Sequence, residues 1–287
     1  MTSTTEHQHG EKGRLPKRAA RSGRARLSER AAHGHALAAE TARSERRALP
    51  PQVRIPLDHP TPQRPHRVYV ALTNHCNRSC PWCSTCSSPA GSTWLTLQNF
   101  QSSFPPEGFF EVQLEGGEPT VHPQFDEFVS AARAHPRCAR LVICTNGVAL
   151  PRQTVRLRSW LEALGEPLTV KLSVNHHLLE RDAGLLGLAG RLRDLVQQLG
   201  GQRLLVLNVR LRKGVADDDA WVERAVRKAG LIEHANVFFL QRYGFAANRS
   251  AWEPPFIVGR NFTLINPDGS RFGPDLVARS EAMRILP

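Results

Sequence analysis

The chain has 287 residues, 40% of them apolar, which is enough to bury one sizeable core and a small appendage. No apolar run reaches the ~18 residues of a membrane span, and none succeeds the first basic residues as in a secretory signal, so a soluble, cytoplasmic protein without membrane contact is expected. Of the formal net charge of +12, residues 1–67 carry +8, from 14 Lys and Arg against 6 Asp and Glu, so the basicity belongs mostly to one end.

Residues 1–65 form that basic end. The stretch "KRAARSGRARLSERAAHGHALAAETARSERRALPPQ" is rich in Arg, Ala, Ser and Pro and nearly devoid of the aromatic and β-branched residues that build cores, which reads as a disordered tail or fraying helix. Arg clusters gain from counterion release, so an arm for nucleic acid or an acidic partner is one reading. No aromatics interleave with the charges, which favours a plain solvated extension. The glutamates argue against a mitochondrial transit peptide.

From His66 the texture changes to short apolar runs alternating with helical spacings. Strands are expected at "RVYVALT" (67–73), "FEVQLEG" (110–116), "RLVICTN" (140–146), "LTVKLSVN" (168–175), "RLLVLNVRL" (203–211) and "NVFFLQRY" (236–243). Between them, Phe125, Phe128, Val129 and Ala132 recur at helical spacing, as do Leu185, Leu188, Leu192, Leu195 and Leu199, and Trp221, Val222, Ala225 and Val226. Pro123 and Asp217–Asp219 mark two helix starts. Such alternation means right-handed βαβ crossovers, and six units at this length predict an α/β fold, a partial (β/α)6 TIM-like barrel over residues 66–248. Residues 249–287 are left as a short cap, with a β-hairpin around Pro267-Asp268-Gly269.

In such a barrel the chemistry sits beyond the C-terminal strand ends. The first four strands lead into "NHCNRSCPWCSTC", "GGEP", "TNG" and "NHH". Cys76, Cys80 and Cys83 place three thiols on one short loop, a soft-metal pattern that suits an iron–sulfur cluster. Structural zinc with Cys86 or His75 as fourth ligand is the alternative, although Cys138 and Cys144 do not make the second paired knuckle usual in a zinc ribbon. Cys144 reads as a small core residue against a helix or neighbouring strand. His176 and His177 are expected at the rim, as a solvated loop pair or with one against substrate.

Cys-x3-Cys-x2-Cys after a first strand, with Trp82 just before the third Cys, then "GGEP" after the second strand and "TNG" after the third, resembles the radical S-adenosylmethionine superfamily over about residues 66–245. The resemblance implies a [4Fe–4S] cluster held by Cys76, Cys80 and Cys83, whose fourth iron chelates S-adenosylmethionine and cleaves it reductively to a 5′-deoxyadenosyl radical. By the same resemblance Trp82 flanks the cluster and the nucleoside. Gly116, Gly117 and Glu118 approach the methionine amino group, Pro119 fixes the turn, and an electron donor of flavodoxin or ferredoxin type is a partner. A fourth sulfur would close the open iron, so Cys86 is expected to be a non-ligand.

Two strands add to the motifs. Lys171, Ser173 and Asn175 alternate with Val170, Leu172 and Val174, and Asn208, Arg210 and Arg212 alternate with Val209 and Leu211, so each polar set shares one face. With helices outside, that face lines the interior. The resemblance assigns Ser173, Asn175 and Asn208 to the carboxylate and ribose of S-adenosylmethionine. Arg210 must meet an anion inside, while Lys171 and Arg212 either do likewise or reach solvent at strand ends. The C-terminal hairpin is similar to the one that opens the auxiliary-cluster domain of SPASM/Twitch-type maturases, but no cysteine comes after Cys144, which leaves one cluster. A peptide or small metabolite is the expected substrate. A glycyl-radical-enzyme activase is the runner-up, and a non-catalytic metal-binding or nucleic-acid-associated module the reading from another class.

Overall fold

The computed structural model describes residues 65–250, 252, 254–255 and 261–287, so the reading of the basic tail falls outside the described residues. All six expected strands form: β1 (His66–Thr73), β2 (Phe110–Gly116), β3 (Cys138–Thr145), β4 (Leu168–Val174), β5 (Arg203–Leu211) and β6 (Ala235–Phe239). They pair in parallel in chain order. The helices between them are α1 (Leu97–Ser102), α2 (Phe125–Ala134), α3 (Thr154–Ala163), α4 (His176–Arg181), α5 (Leu185–Leu199) and α6 (Ala220–Lys228). The sheet runs β6-β5-β4-β3-β2-β1 and continues through β7 (Phe262–Ile265), parallel to β1, to β8 (Arg271–Phe272), antiparallel to β7. It is the expected partial TIM-like barrel, with the expected hairpin built onto its edge. A last helix, α7 (Leu276–Arg284), comes after the hairpin.

Period two decides which side of each strand meets the helices. Phe110, Val112 and Leu114 of β2, Leu141 and Ile143 of β3, Val170, Leu172 and Val174 of β4, and Leu205, Leu207 and Val209 of β5 are buried in one core. Packed on them are Phe125, Phe128, Val129 and Ala132 of α2, and Leu185, Leu188, Leu192 and Leu195 of α5. Each such leucine contributes about 2 kcal/mol of transfer free energy, so a one-residue slip of any strand would forfeit the whole set. Helix α3, whose spacing of Leu157 and Leu161 is diluted by charged neighbours, carries no strong sequence signal, yet both leucines are fully buried.

Asp217–Asp219 do not act as a helix start should. All three take left-handed backbone angles, with φ between 48° and 59°, and Asp219 precedes α6 without a side-chain capping bond. Their carboxylates are committed elsewhere, Asp217 to Arg224, Asp218 to the Gly214 amide and Asp219 to Arg212.

Candidate active site

The loop from β1 to α1 carries the cysteines. Cys83 N–H donates to the Cys80 carbonyl at 3.0 Å and Cys86 N–H to the Cys83 carbonyl at 3.3 Å, so the loop closes in tight turns over the strand ends. Burial pushes the Cys76 thiol up to about 12, with the nearby Cys83, Glu118 and Cys80 adding in the same direction. Burial also takes Cys80 to about 12, with Cys83 adding to it, against the opposing pull of Arg210, Arg78 and Arg181. The three sulfurs are thus close enough to feel one another, although among the described residues no three His, Cys, Asp or Glu side chains converge on one point as a single-ion site requires. A four-iron cluster takes each thiolate on a different iron, and three sulfurs on one loop can supply three such bonds. Iron binding would itself drive the protons off.

Polar groups already reach two of the sulfurs. Asn146 Nδ2, from "TNG", donates to Cys76 Sγ at 3.6 Å. The Ser87 amide donates to Cys83 Sγ at 3.4 Å, and Thr85 Oγ1 lies 3.3 Å from it while donating to the Gly116 carbonyl at 2.8 Å. Cys86 is turned away: its backbone is left-handed (φ 51°), and its thiol packs on Ala71 and Met283 and faces the Ser280 carbonyl at 3.6 Å.

The "GGEP" turn packs directly against the cysteine loop. An added Cβ on Gly117 would lie 1.8 Å from the His75 carbonyl oxygen, and one on Gly116 (φ +114°) 2.6 Å from that of Thr73. The glycines therefore make room for the cysteine loop, and the Gly117 and Glu118 amides donate to the Thr73 and His75 carbonyls at 2.6 and 2.9 Å. Glu118 is fully buried, and its carboxylate accepts from Thr145 Oγ1 (2.7 Å), the Asn146 amide (2.7 Å), and the hydroxyl (2.6 Å) and amide (3.3 Å) of Thr120. Burial pushes its pKa up against the pull of these donors. The side chain latches "GGEP" to "TNG". Pro119, also buried, opens the short 3₁₀ turn Pro119–Val121, as the sequence suggests.

Trp82 is buried in a small cluster with Leu240, Ala246 and Trp252, against Cys80. The rings of His176 (4.5 Å, tilted) and His177 (5.7 Å, edge-on) bracket it. Both histidines are buried rather than solvated, and burial lowers the pKa of each. His176 Nδ1 is 3.3 Å from Asp219, which takes three hydrogen bonds from Arg212: from its amide and Nε at 2.9 Å and from Nη2 at 2.7 Å. Burial would raise the Asp219 carboxyl, yet these bonds hold it below the usual carboxylate range. Arg212 is pinned at the rim, not free in solvent. Nothing local in the sequence announces Asp219, because its left-handed backbone is what aims it.

The interior wall has the register that the alternation predicts. Lys171 Nζ, from β4, reaches across β3 to Gln113 Oε1 of β2 at 2.7 Å, which only an inward side chain can do. Gln113 donates to Glu115, and Glu115 pairs with Arg279 of α7, whose Nε donates to Asn266 at 3.1 Å. Cys144 is on this inner side too, beside Lys171 of the neighbouring strand, the second of its two expected settings; burial takes its thiol to about 12. Ser173 and Asn208 are register partners at the upper β4–β5 wall, and neither side chain has a hydrogen-bond partner among the described residues. Arg210 lies over Phe238 at 5.6 Å with its Nε buried and unpaired, and Arg78 Nε is in the same state. Asn175 stands apart from this group, since its Oδ1 caps α4 by accepting from the Leu178 amide at 3.0 Å.

No protein-family model matches the chain. It is 30% identical over 160 residues, 52% of its length, to the GTP 3′,8-cyclase of Stenotrophomonas maltophilia, and covers 47% of that protein. It is 30% identical over 145 residues to molybdenum cofactor biosynthesis protein 1 of Drosophila melanogaster, of which it covers 25%. The chain spans about half the length of the first of these relatives, or less. Its fold is similar to that of Streptococcus suis SuiB solved with the precursor peptide SuiA, with a TM-score of 0.50 at 11% identity over 74% of this chain and 60% of that one. These similarities support the reading of the rim motifs, in which the chain resembles the radical S-adenosylmethionine superfamily.

Proposed function

We propose that the chain is an enzyme that holds one [4Fe–4S] cluster on Cys76, Cys80 and Cys83, binds S-adenosylmethionine beside it, and removes a hydrogen atom from a small-molecule or peptide substrate in the cytoplasm. When bound, these cofactors supply a one-electron cleavage to methionine and a 5′-deoxyadenosyl radical. One observation carries the reading: three thiols share the rim loop while Cys86 is turned toward Ser280, so three sulfurs and not four are offered. Asn146, Thr85 and the Ser87 amide would tune the sulfurs they touch by hydrogen bonding. Trp82 and its two histidines wall off water on the Cys80 side. Ser173, Asn208 and Arg210 are the groups left to bind cofactor and substrate, and an unpaired arginine there supports an acidic small molecule over a neutral peptide. The similarity to GTP 3′,8-cyclases, named for a phosphorylated substrate, supports the same choice.

The test is product formation. Protein reconstituted anaerobically with iron and sulfide, then given dithionite and S-adenosylmethionine, is expected to release 5′-deoxyadenosine, measured by mass spectrometry. A variant with all three cysteines changed to alanine is expected to release none. Product from that variant, or none from an iron-loaded wild type, would overturn the reading.

A further inference from the structure

We infer that the segment Gln241–Arg249, lying over Cys83, is the docking face for a small acidic electron-carrier protein; this rests on the cluster assignment above. The segment is pressed onto the cysteine loop. Gly244 has φ +64°, and a Cβ there would lie 2.3 Å from the Cys83 carbonyl oxygen. The next amide, that of Phe245, donates to that same carbonyl at 3.0 Å. The backbone of one surface residue is therefore a single hydrogen bond from a cluster ligand, while its phenyl ring is 41% exposed.

Charge surrounds the ring. Arg242 and Arg249 are exposed, and among the described residues their side chains have no ion-pair or hydrogen-bond partner, in contrast to the paired Arg152, Arg158, Arg224 and Arg227. Arg284 of α7 is anchored on the Gly244 carbonyl, which brings the 82% exposed Ile285 to the same region. Residues 240–252 contain no acid, Glu253 comes next in the chain, and α7 adds one exposed carboxylate, Glu281. An exposed aromatic rimmed by unanswered arginines suits a brief encounter with an acidic partner, in which charge sets the rate and a small apolar contact the register. A partner seated there would pass one electron: the carrier is oxidised by one, the cluster is reduced by one, and no bond or proton moves.

The experiment is anaerobic stopped-flow reduction of the reconstituted wild-type cluster by reduced flavodoxin, compared with dithionite. In R242E/R249E the flavodoxin rate constant is expected to fall about tenfold or more at low salt, and the difference to close near 1 M salt, where charges are screened within ~3 Å. F245S is expected to lower the flavodoxin rate at every salt concentration. Iron content and the dithionite rate should match wild type in both. Equal flavodoxin rates in wild type and R242E/R249E would overturn the docking face, as would a parallel loss with dithionite. So would a change from dimer to monomer by sedimentation in the variants, which would make the patch a contact between copies. Failure of the wild type to take up iron would instead overturn the cluster assignment.

Discussion

The two halves of the barrel's inner wall differ in how their polar groups are answered. On the β2 side, Lys171, Gln113, Glu115, Arg279 and Asn266 form a continuous chain of hydrogen bonds and one ion pair, and Glu118 above them takes four donors. On the upper β4–β5 side, the half-buried Ser173 and Asn208 and the buried Arg210 Nε have no partner among the described residues, whereas the β2-side set leaves only Arg279 Nη2 unpartnered. Buried polar groups left unanswered are costly, so a fold keeps them where something else will answer. The contrast marks the β2 side as framework and supports the β4–β5 side as the proposed binding surface. The same contrast runs along β5 itself: Arg212 is held by Asp219, while Arg210, two residues earlier on the same face, is not.

Changing one arginine on each side should show the difference, the larger effect falling on the answered wall. Arg279→Met leaves Glu115 and Asn266 without their partner in a buried setting, and is expected to cost about 3 kcal/mol or more of stability by denaturant unfolding. A loss of under about 1 kcal/mol would mean that water replaces the guanidinium and that this side is no framework.

A smaller effect is expected at Asp219. Its folded pKa is depressed, so its contribution to stability is complete above the ordinary aspartate value of about 3.9 and is lost as pH falls through the folded value. Thermal scans should show wild type losing its advantage over Asp219→Asn below about pH 4. A difference that is constant with pH would show that the Arg212 bonds do not depend on the charge.

The smallest change in stability is expected from Arg210→Met, within about 0.5 kcal/mol, because no described group loses a hydrogen-bond partner. Affinity for S-adenosylmethionine or substrate should nevertheless fall about tenfold or more, the worth of a charged hydrogen bond. Unchanged affinity together with unchanged stability would place Arg210 outside the binding surface.

How much of this is legible in the chain depends on how local each cause is. Strand alternation in "TVKLSVN" and "LNVRL" is local, and it tells the inner from the outer face, as the Lys171 to Gln113 contact shows. The cysteine spacing and its place after β1 are local too. The role of Glu118 is only partly local, since Thr120 is two residues away but Thr145 and Asn146 are 27 and 28. Which of its two expected settings Cys144 takes is not legible, because a small residue fits either face of β3. Arg279 escapes notice because α7 has no clear apolar stripe, and its burial is decided by Glu115, 164 residues earlier.

The central claim is that three thiols, and not four, hold the metal. Iron and sulfide per chain after anaerobic reconstitution, in wild type and in single alanine variants of Cys76, Cys80, Cys83 and Cys86, test it most directly. The account predicts about four of each for wild type and for Cys86→Ala, and loss of the cluster in the other three. Loss of the cluster in Cys86→Ala, or one zinc per chain with no iron uptake, would contradict it.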